Sequence, residues 1–346
     1  MAAPLLGHLD PDFTPLLDEI AEQLRSVFRT RNRVTLPISG TGSAGMEAVI
    51  VNLVEPGDEV VVGVNGVFGG RLAEVARRAG ATVHTVEAPW GSIIDPSEMI
   101  AAVSQHLPRL AAIVHAETST GAHQPLAEIG AALAATDTLF VVDSVTGLAG
   151  VELDVDGWSI DACYSGTQKC LSVPPGLAPV TFSDAAVERI RGRTTPVQSW
   201  YLDVTLLLGY LDAEGGRVYH HTAPISMLYG LHQGLERVLE EGLEARISRH
   251  ARIGGMLQRG LEELGLPLLA QEGHRLPQLT AVGLPEGVDE AVWRRRLLDE
   301  HGIEVGAGLG ELAGRAWRIG LMGESCREGN VLLLLAALER MLDEVR

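Results

Sequence analysis

The sequence predicts an α/β protein: a mostly parallel sheet with helices on both faces, followed by a smaller α+β unit. Three observations carry this. From Val34 to Asp143, short β-branched apolar runs alternate with helix-patterned segments, the pattern of strand–helix–strand units in a parallel sheet. Most of these runs lead into turns rich in Gly, Ser, Thr or acids, where such sheets hold ligands. After Leu243 the order changes to another long helix and then mixed strands and helices. This sets a large domain at 1–243 and a small one at 244–346.

Phe13 to Arg29 carries Leu16, Leu17, Ile20, Leu24, Val27 and Phe28 at helical spacing. Val34 to Ile38 is extended and leads into Ser39-Gly-Thr-Gly-Ser-Ala-Gly45, after which Met46 to Val54 reads as a helix. Glu59 to Val64 and Ala81 to Val86 are strands around a Phe68 to Ala79 helix. Pro96 to Leu107 is helical, Leu110 to His115 a strand, Pro125 to Ala135 a helix, and Leu139 to Val142 and Asp161 to Tyr164 are strands. Asp184 to Arg191, Ile225 to Leu243 and Glu244 to Leu264 are helical. Leu276 to Leu284, Val288 to His301, Ile303 to Val305, Trp317 to Leu321 and Glu328 to Leu342 give strand, helix, strand, strand, helix.

With 346 residues, 46% of them hydrophobic and 21% charged, the chain is an ordinary globular protein with a sizeable core. A formal charge of −18 argues against a nucleic-acid or acidic-membrane surface. Three cysteines give no disulfide framework and fit a reducing compartment. No apolar run reaches membrane-spanning length and the start lacks a signal-peptide profile, so a cytoplasmic location is expected.

Two residues stand out chemically. Asp143 closes the Leu139 strand, and Lys169 lies just past the Asp161 strand, in a small polar loop stopped by Pro174-Pro-Gly. An acid and a lysine so placed suit pyridoxal phosphate (PLP): the lysine forms the Schiff base and the acid keeps the ring nitrogen protonated. The Gly40–Gly45 turn also matches a dinucleotide fingerprint. That reading wants an acid ending the next strand, which here runs into Asn65-Gly66, so a phosphate cup at a helix start is the better fit. Arg318, on an apolar strand, suits a substrate carboxylate. Arg217 to Thr222 is dense in hydrogen-bonding side chains, and no route from it to Lys169 is evident in the sequence. Its paired histidines lack a third metal ligand at suitable spacing.

Several motifs together resemble one family. They are Ser39-Gly-Thr-Gly-Ser-Ala-Gly-Met-Glu-Ala, Glu55-Pro-Gly-Asp, Thr118-Ser-Thr-Gly, Asp143-Ser-Val, Tyr164-Ser-Gly-Thr-Gln-Lys169, Pro174-Pro-Gly, Tyr219-His-His-Thr222 and Arg318-Ile-Gly-Leu. The chain resembles the alanine–glyoxylate and serine–pyruvate aminotransferases, class V of the fold-type-I PLP enzymes, over nearly its whole length. The resemblance implies an aspartate-aminotransferase-like large domain and a homodimer with shared active sites. It implies Lys169 as the Schiff-base lysine and Asp143 as the ring-nitrogen partner. Thr41, Gly42, Ser43 and Gln168 would bind the phosphate, with Tyr219 and Thr222 from the other subunit. Thr118 would reach the phenolic oxygen, and Arg318 would hold the substrate carboxylate.

The implied reaction is ping-pong transamination, with alanine or serine as donor and glyoxylate or pyruvate as acceptor. Ureidoglycine–glyoxylate transamination stands as the alternative within the class, and an NAD-dependent oxidoreductase as the one outside it. Neither Cys326, after Arg318, nor Cys170, directly after Lys169, stands where a cysteine desulfurase needs its nucleophile. The chain departs from the family pattern in three places. Phe68 replaces a tryptophan that stacks on the ring, Ser43 replaces a histidine, and the family's Gly/Pro-rich arm, which wraps the other subunit, is not in this sequence.

Overall fold

A computed structural model describes residues 5–211, 218–285 and 287–344. In chain order the elements are α1 (Thr14–Phe28), β1 (Val34–Ser39), α2 (Gly42–Leu53), β2 (Glu59–Val64), α3 (Val67–Arg78), β3 (Thr82–Glu87), α4 (Pro96–His106) and β4 (Leu110–Val114). There follow β5 (Ala116–Glu117), β6 (Ala122–His123), α5 (Ala127–Leu133), β7 (Leu139–Asp143), β8 (Ala162–Tyr164), β9 (Leu177–Phe182), α6 (Asp184–Arg191) and α7 (Val204–Leu211). The last are α8 (Ile225–Glu241), α9 (Leu243–Glu263), β10 (Leu279–Gly283), α10 (Glu290–His301), β11 (Gly306–Ala307), β12 (Ala316–Gly320) and α11 (Glu328–Asp343).

Seven strands form one sheet in the order β1-β9-β8-β7-β4-β2-β3. The pairs from β3 through β8 are parallel, while β9 runs antiparallel to both β8 and β1. Alternation along the strands divides the apolar residues between two faces. Val61, Ala111, Ile113, Phe140 and Val142 pack against α1, α4, α5 and α8. Val60, Val62, Ala112, Val141 and Tyr164 pack against α2, α3, α6 and α7. With both faces covered, the central strands are apolar throughout, as in other helix-covered parallel sheets. A third core gathers residues from Ile253 onward, between the small antiparallel sheet β10-β12-β11 and the helices α9, α10 and α11.

Several elements differ from the sequence expectation, the unexpected short strands β5 and β6 and helix α7 among them. β9 is not among the expected strands, because Pro179 speaks against a central strand; its six residues are nonetheless all buried. α2 starts at Gly42 and not at Met46, so two glycines of the turn belong to the helix. A Cβ on Gly42 would come within 3.0 Å of Val145, which is why the helix can start so close to the end of β7. The strand expected at Ile303 to Val305 pairs instead at Gly306–Ala307. The Ile303 N–H still bonds back to the Leu297 carbonyl, so the chain at that point is only leaving α10. Among the described residues, no helix is long and apolar enough to cross a membrane.

Candidate active site

The parallel strands all end on one side, and the residues singled out in the sequence gather there. Asp143 ends β7, buried to 3% exposure. It accepts hydrogen bonds from the Tyr164 hydroxyl at 2.8 Å and the Val145 N–H at 2.9 Å. Burial pushes its carboxyl up to about 6 against the pull of these donors. Both bonding partners are neutral, so the carboxylate keeps its full charge for a cation, and Lys169 is close enough to act on it electrostatically.

Lys169 is only partly exposed, and burial lowers its affinity for a proton, helped by the positive charge of Arg318. Its loop is braced from both ends. The Thr167 hydroxyl donates to the Pro174 carbonyl at 2.8 Å, and the Val173 N–H returns to the Thr167 carbonyl. Arg318, on β12, donates from Nε to the Ala307 carbonyl at 2.8 Å and from Nη1 to the Thr118 carbonyl at 3.4 Å. The small sheet thereby places its arginine over the turn that follows β5.

The start of α2 lies beside this group. Thr41 and Ser43 are exposed, no side chain caps the helix, and Gln168 is exposed nearby, with its Oε1 3.1 Å from where a Cβ on Gly166 would stand. An uncapped helix N-terminus presents free N–H groups and the positive end of a dipole. Phe68, in the first turn of α3, is half-buried, and the Arg71 guanidinium lies 5.1 Å from its ring centroid. Thr118 is buried.

The hydroxyls of Tyr219 and Thr222 lie 3.4 Å from each other, and both residues are exposed. Their segment has a route into its own subunit that the sequence did not reveal. His221 Nε2 is 2.7 Å from the Ser39 hydroxyl, at the end of β1 and just before the α2 turn. His220 stacks on Trp200, which is 62% exposed. Arg217 lies outside the described residues.

The chain matches the family described as aminotransferase class-V over residues 5–317. The chain belongs to the class V aminotransferases. It is 42% identical to the (S)-ureidoglycine–glyoxylate transaminase of Bacillus subtilis (strain 168), covering 99% of this chain and 86% of that protein. It is 38% identical to the alanine–glyoxylate aminotransferase of Drosophila melanogaster, over 99% of this chain and 88% of that one. A crystal structure of an alanine–glyoxylate aminotransferase from Nostoc sp. superposes with a TM-score of 0.95 at 48% identity, over 98% and 90% of the two chains.

As a class V aminotransferase, the enzyme belongs to a family that uses PLP, and the site suits that group. A buried acid without a cationic bonding partner would suit a ring nitrogen, an amine with lowered proton affinity would suit an aldehyde, and an uncapped helix start would suit a phosphate. Sequence reasoning missed Glu117, which is fully buried between Phe68 and Thr118, and it gave Tyr164 no role. The signal for Tyr164 was its place two residues into a short apolar strand beside the one ending in Asp143. A cleft of about 1110 Å³ opens elsewhere, lined in part by Asp161 and Ser183. Asp161 there accepts from the Phe140 N–H and the Ser183 hydroxyl and so ties strands together.

Proposed function

We propose that this aminotransferase exchanges the amino group of a small amino acid, alanine or serine, with glyoxylate or pyruvate by a ping-pong mechanism. It does so in a PLP site shared across a cytoplasmic homodimer. The observation that carries the reading is the meeting of Asp143, Lys169 and Arg318 at the carboxyl end of the sheet. The relatives described above as alanine–glyoxylate aminotransferases supply the substrate class. A second reading, ureidoglycine as the donor to glyoxylate, is favoured by the 42% identity to the Bacillus subtilis transaminase.

When bound, PLP supplies a ring that accepts the electrons of a broken bond at the substrate Cα. The protein's own part is positional and protonic. Asp143 holds a proton on the ring nitrogen, and Tyr164 steadies that carboxylate. Burial, helped by Arg318, lowers the proton affinity of the Lys169 amine, which takes the Cα proton and later returns it. Arg318 pairs with the substrate carboxylate. Thr41, Gly42, Ser43 and Gln168 hold the phosphate, joined by Tyr219 and Thr222 of the second subunit. Phe68 covers a ring face, with less apolar area than a tryptophan would offer, and Thr118 meets the phenolic oxygen. The three free and buried cysteines suit a reducing compartment.

Borohydride trapping tests the reading. The purified enzyme should show a visible band that borohydride abolishes, leaving a stable adduct on the Lys169 peptide. Lys169→Ala should lose turnover yet still bind PLP non-covalently. An adduct on another residue, or normal turnover in the variant, refutes the assignment. A half-reaction screen that follows bleaching of the band then distinguishes alanine, serine and ureidoglycine as donors.

A further inference from the structure

The first turn of α3 is capped from outside the helix. Its N-cap, Gly66, has no side chain to offer. In its place, Glu117 Oε2 accepts from the Phe68 N–H at 3.0 Å and the Gly69 N–H at 3.2 Å. Glu117 Oε1 accepts from the Ser119 N–H at 3.0 Å and the Ser119 hydroxyl at 2.5 Å. The same hydroxyl oxygen accepts from the Val67 N–H at 3.0 Å. Three successive N–H groups of one helix are thus satisfied by the turn after β5. That arrangement is tight enough to exclude a side chain at position 66, where a Cβ would lie 2.5 Å from the Glu117 carboxyl carbon.

Glu117 is fully buried. A buried acid is costly unless its charge is met. Here two donors converge on each oxygen and the positive end of a helix dipole adjoins them. Burial still pushes its carboxyl above the usual range; its charge adds to the burial that raises Asp143 and opposes the burial that lowers Arg318. A surface salt link would cap a helix at lower cost. The position matters because of what the two joined segments carry. One carries Phe68; the other carries Thr118, whose carbonyl receives Arg318.

We propose that Glu117 is a positioning residue of the active site, its carboxylate locking the Phe68 turn to the Thr118–Ser119 turn so that ring face, phenolic-oxygen contact and carboxylate clamp keep one fixed spacing. This rests on the roles proposed above for Phe68, Thr118 and Arg318. A carboxylate that reaches both segments is needed for the function. Glu117→Gln keeps the length but replaces two acceptor sites with an N–H₂ group that faces N–H donors. Glu117→Asp keeps the charge but is one methylene short of spanning both turns.

The test compares the two variants with the wild-type holoenzyme by visible circular dichroism, cofactor dissociation constant, thermal melting, and KM against kcat. Visible dichroism reports the tilt of the bound ring, which a merely structural cap would not alter. The expected result is a dichroic band reduced at least twofold in both variants and a cofactor Kd raised about tenfold in Glu117→Gln. KM for the amino acid should rise alongside a lowered kcat. If Glu117→Gln does not fold, Ser119→Ala is expected to shift the same band in the same direction to a smaller degree. It removes the bridge to Val67 but leaves the carboxylate. Unchanged dichroism and cofactor Kd beside a normal wild-type band, with or without a lowered melting temperature, overturn this inference alone. A wild-type protein with no visible band at all defeats the functional reading, and this inference with it.

Discussion

Replacing Asp143 by Asn should move stability and activity in opposite directions. The Asp143 carboxyl is fully buried and is pushed up from its ordinary 3.8 to about 6, mainly by burial. In an unfolded chain it would ionise near its ordinary value. Between those two values the folded apoprotein holds a proton that the unfolded chain does not, so stability falls as pH rises through the interval and then levels off. At about 1.4 kcal/mol per pH unit, the rise from 3.8 to about 6 amounts to about 3 kcal/mol of cost, fully present at neutral pH. Asparagine avoids that cost and keeps both bonds. Its carbonyl accepts from the Val145 N–H, and its amide donates to the Tyr164 oxygen, which a hydroxyl permits. Apo Asp143→Asn should therefore exceed the apo wild type by about 2–3 kcal/mol at neutral pH, and the advantage should shrink towards zero near pH 4. Urea unfolding of both apoproteins across that range measures it. The loaded variant should lose on the order of a hundredfold in turnover, the usual scale for removing one aligned charge partner. An apo wild type that is the more stable at neutral pH, or a difference that does not change with pH, would refute the argument that Asp143 is a costly group kept for its charge.

The other predictions use different parts of the molecule. His123 and His250 are each lowered to about 4 by burial, so both are neutral when folded. A histidine with a lowered folded value loses stability as pH falls below its unfolded value of 6.5, and the loss continues down to about 4. At about 1.4 kcal/mol per pH unit the cost reaches about 3.5 kcal/mol for each. His250→Gln should flatten the acid limb of a melting-temperature profile, and an unchanged limb would show that the acid loss arises elsewhere. The shared site is tested by co-expressing Lys169→Ala with a Tyr219→Phe/Thr222→Ala double variant, itself first shown to be impaired. Mixed dimers regain one intact pocket and part of the activity if the two defects fall in different pockets. Activity that stays at the sum of the two variants, or a protein that sediments as a monomer at micromolar concentration, ends the shared-site reading.

The residues legible in the sequence were charged groups in apolar surroundings. Asp143 stands at the end of an apolar run and Arg318 inside one, where an ordinary solvated charge has no place, while Lys169 stood out by its small polar loop just past the next strand. The sheet was legible for the same reason, since its two-sided burial leaves continuous apolar runs between polar turns. β9 was not legible, because Pro179 marks it as a non-strand in isolation. It is held as a strand between β8, the strand before it in the chain, and β1, which is far away in sequence. The return of His221 to Ser39 was hidden likewise, since nothing in residues 218–222 names β1 as their neighbour.

Glu117 shows where the limit lies. In the sequence it precedes Thr118-Ser-Thr-Gly and reads as the polar tip of a loop. Its burial follows from a fact about another segment: α3 begins at a glycine that cannot cap it. A helix start without a cap leaves N–H groups that must find partners once buried, so a buried acceptor had to come from elsewhere. The Gly66-Val67-Phe68 start and the Glu117-Thr118-Ser119 turn are thus two halves of one statement, each unremarkable alone. Residues that perform chemistry announce themselves against apolar neighbours. Residues that hold those in place are visible only once the strands have brought the two halves together.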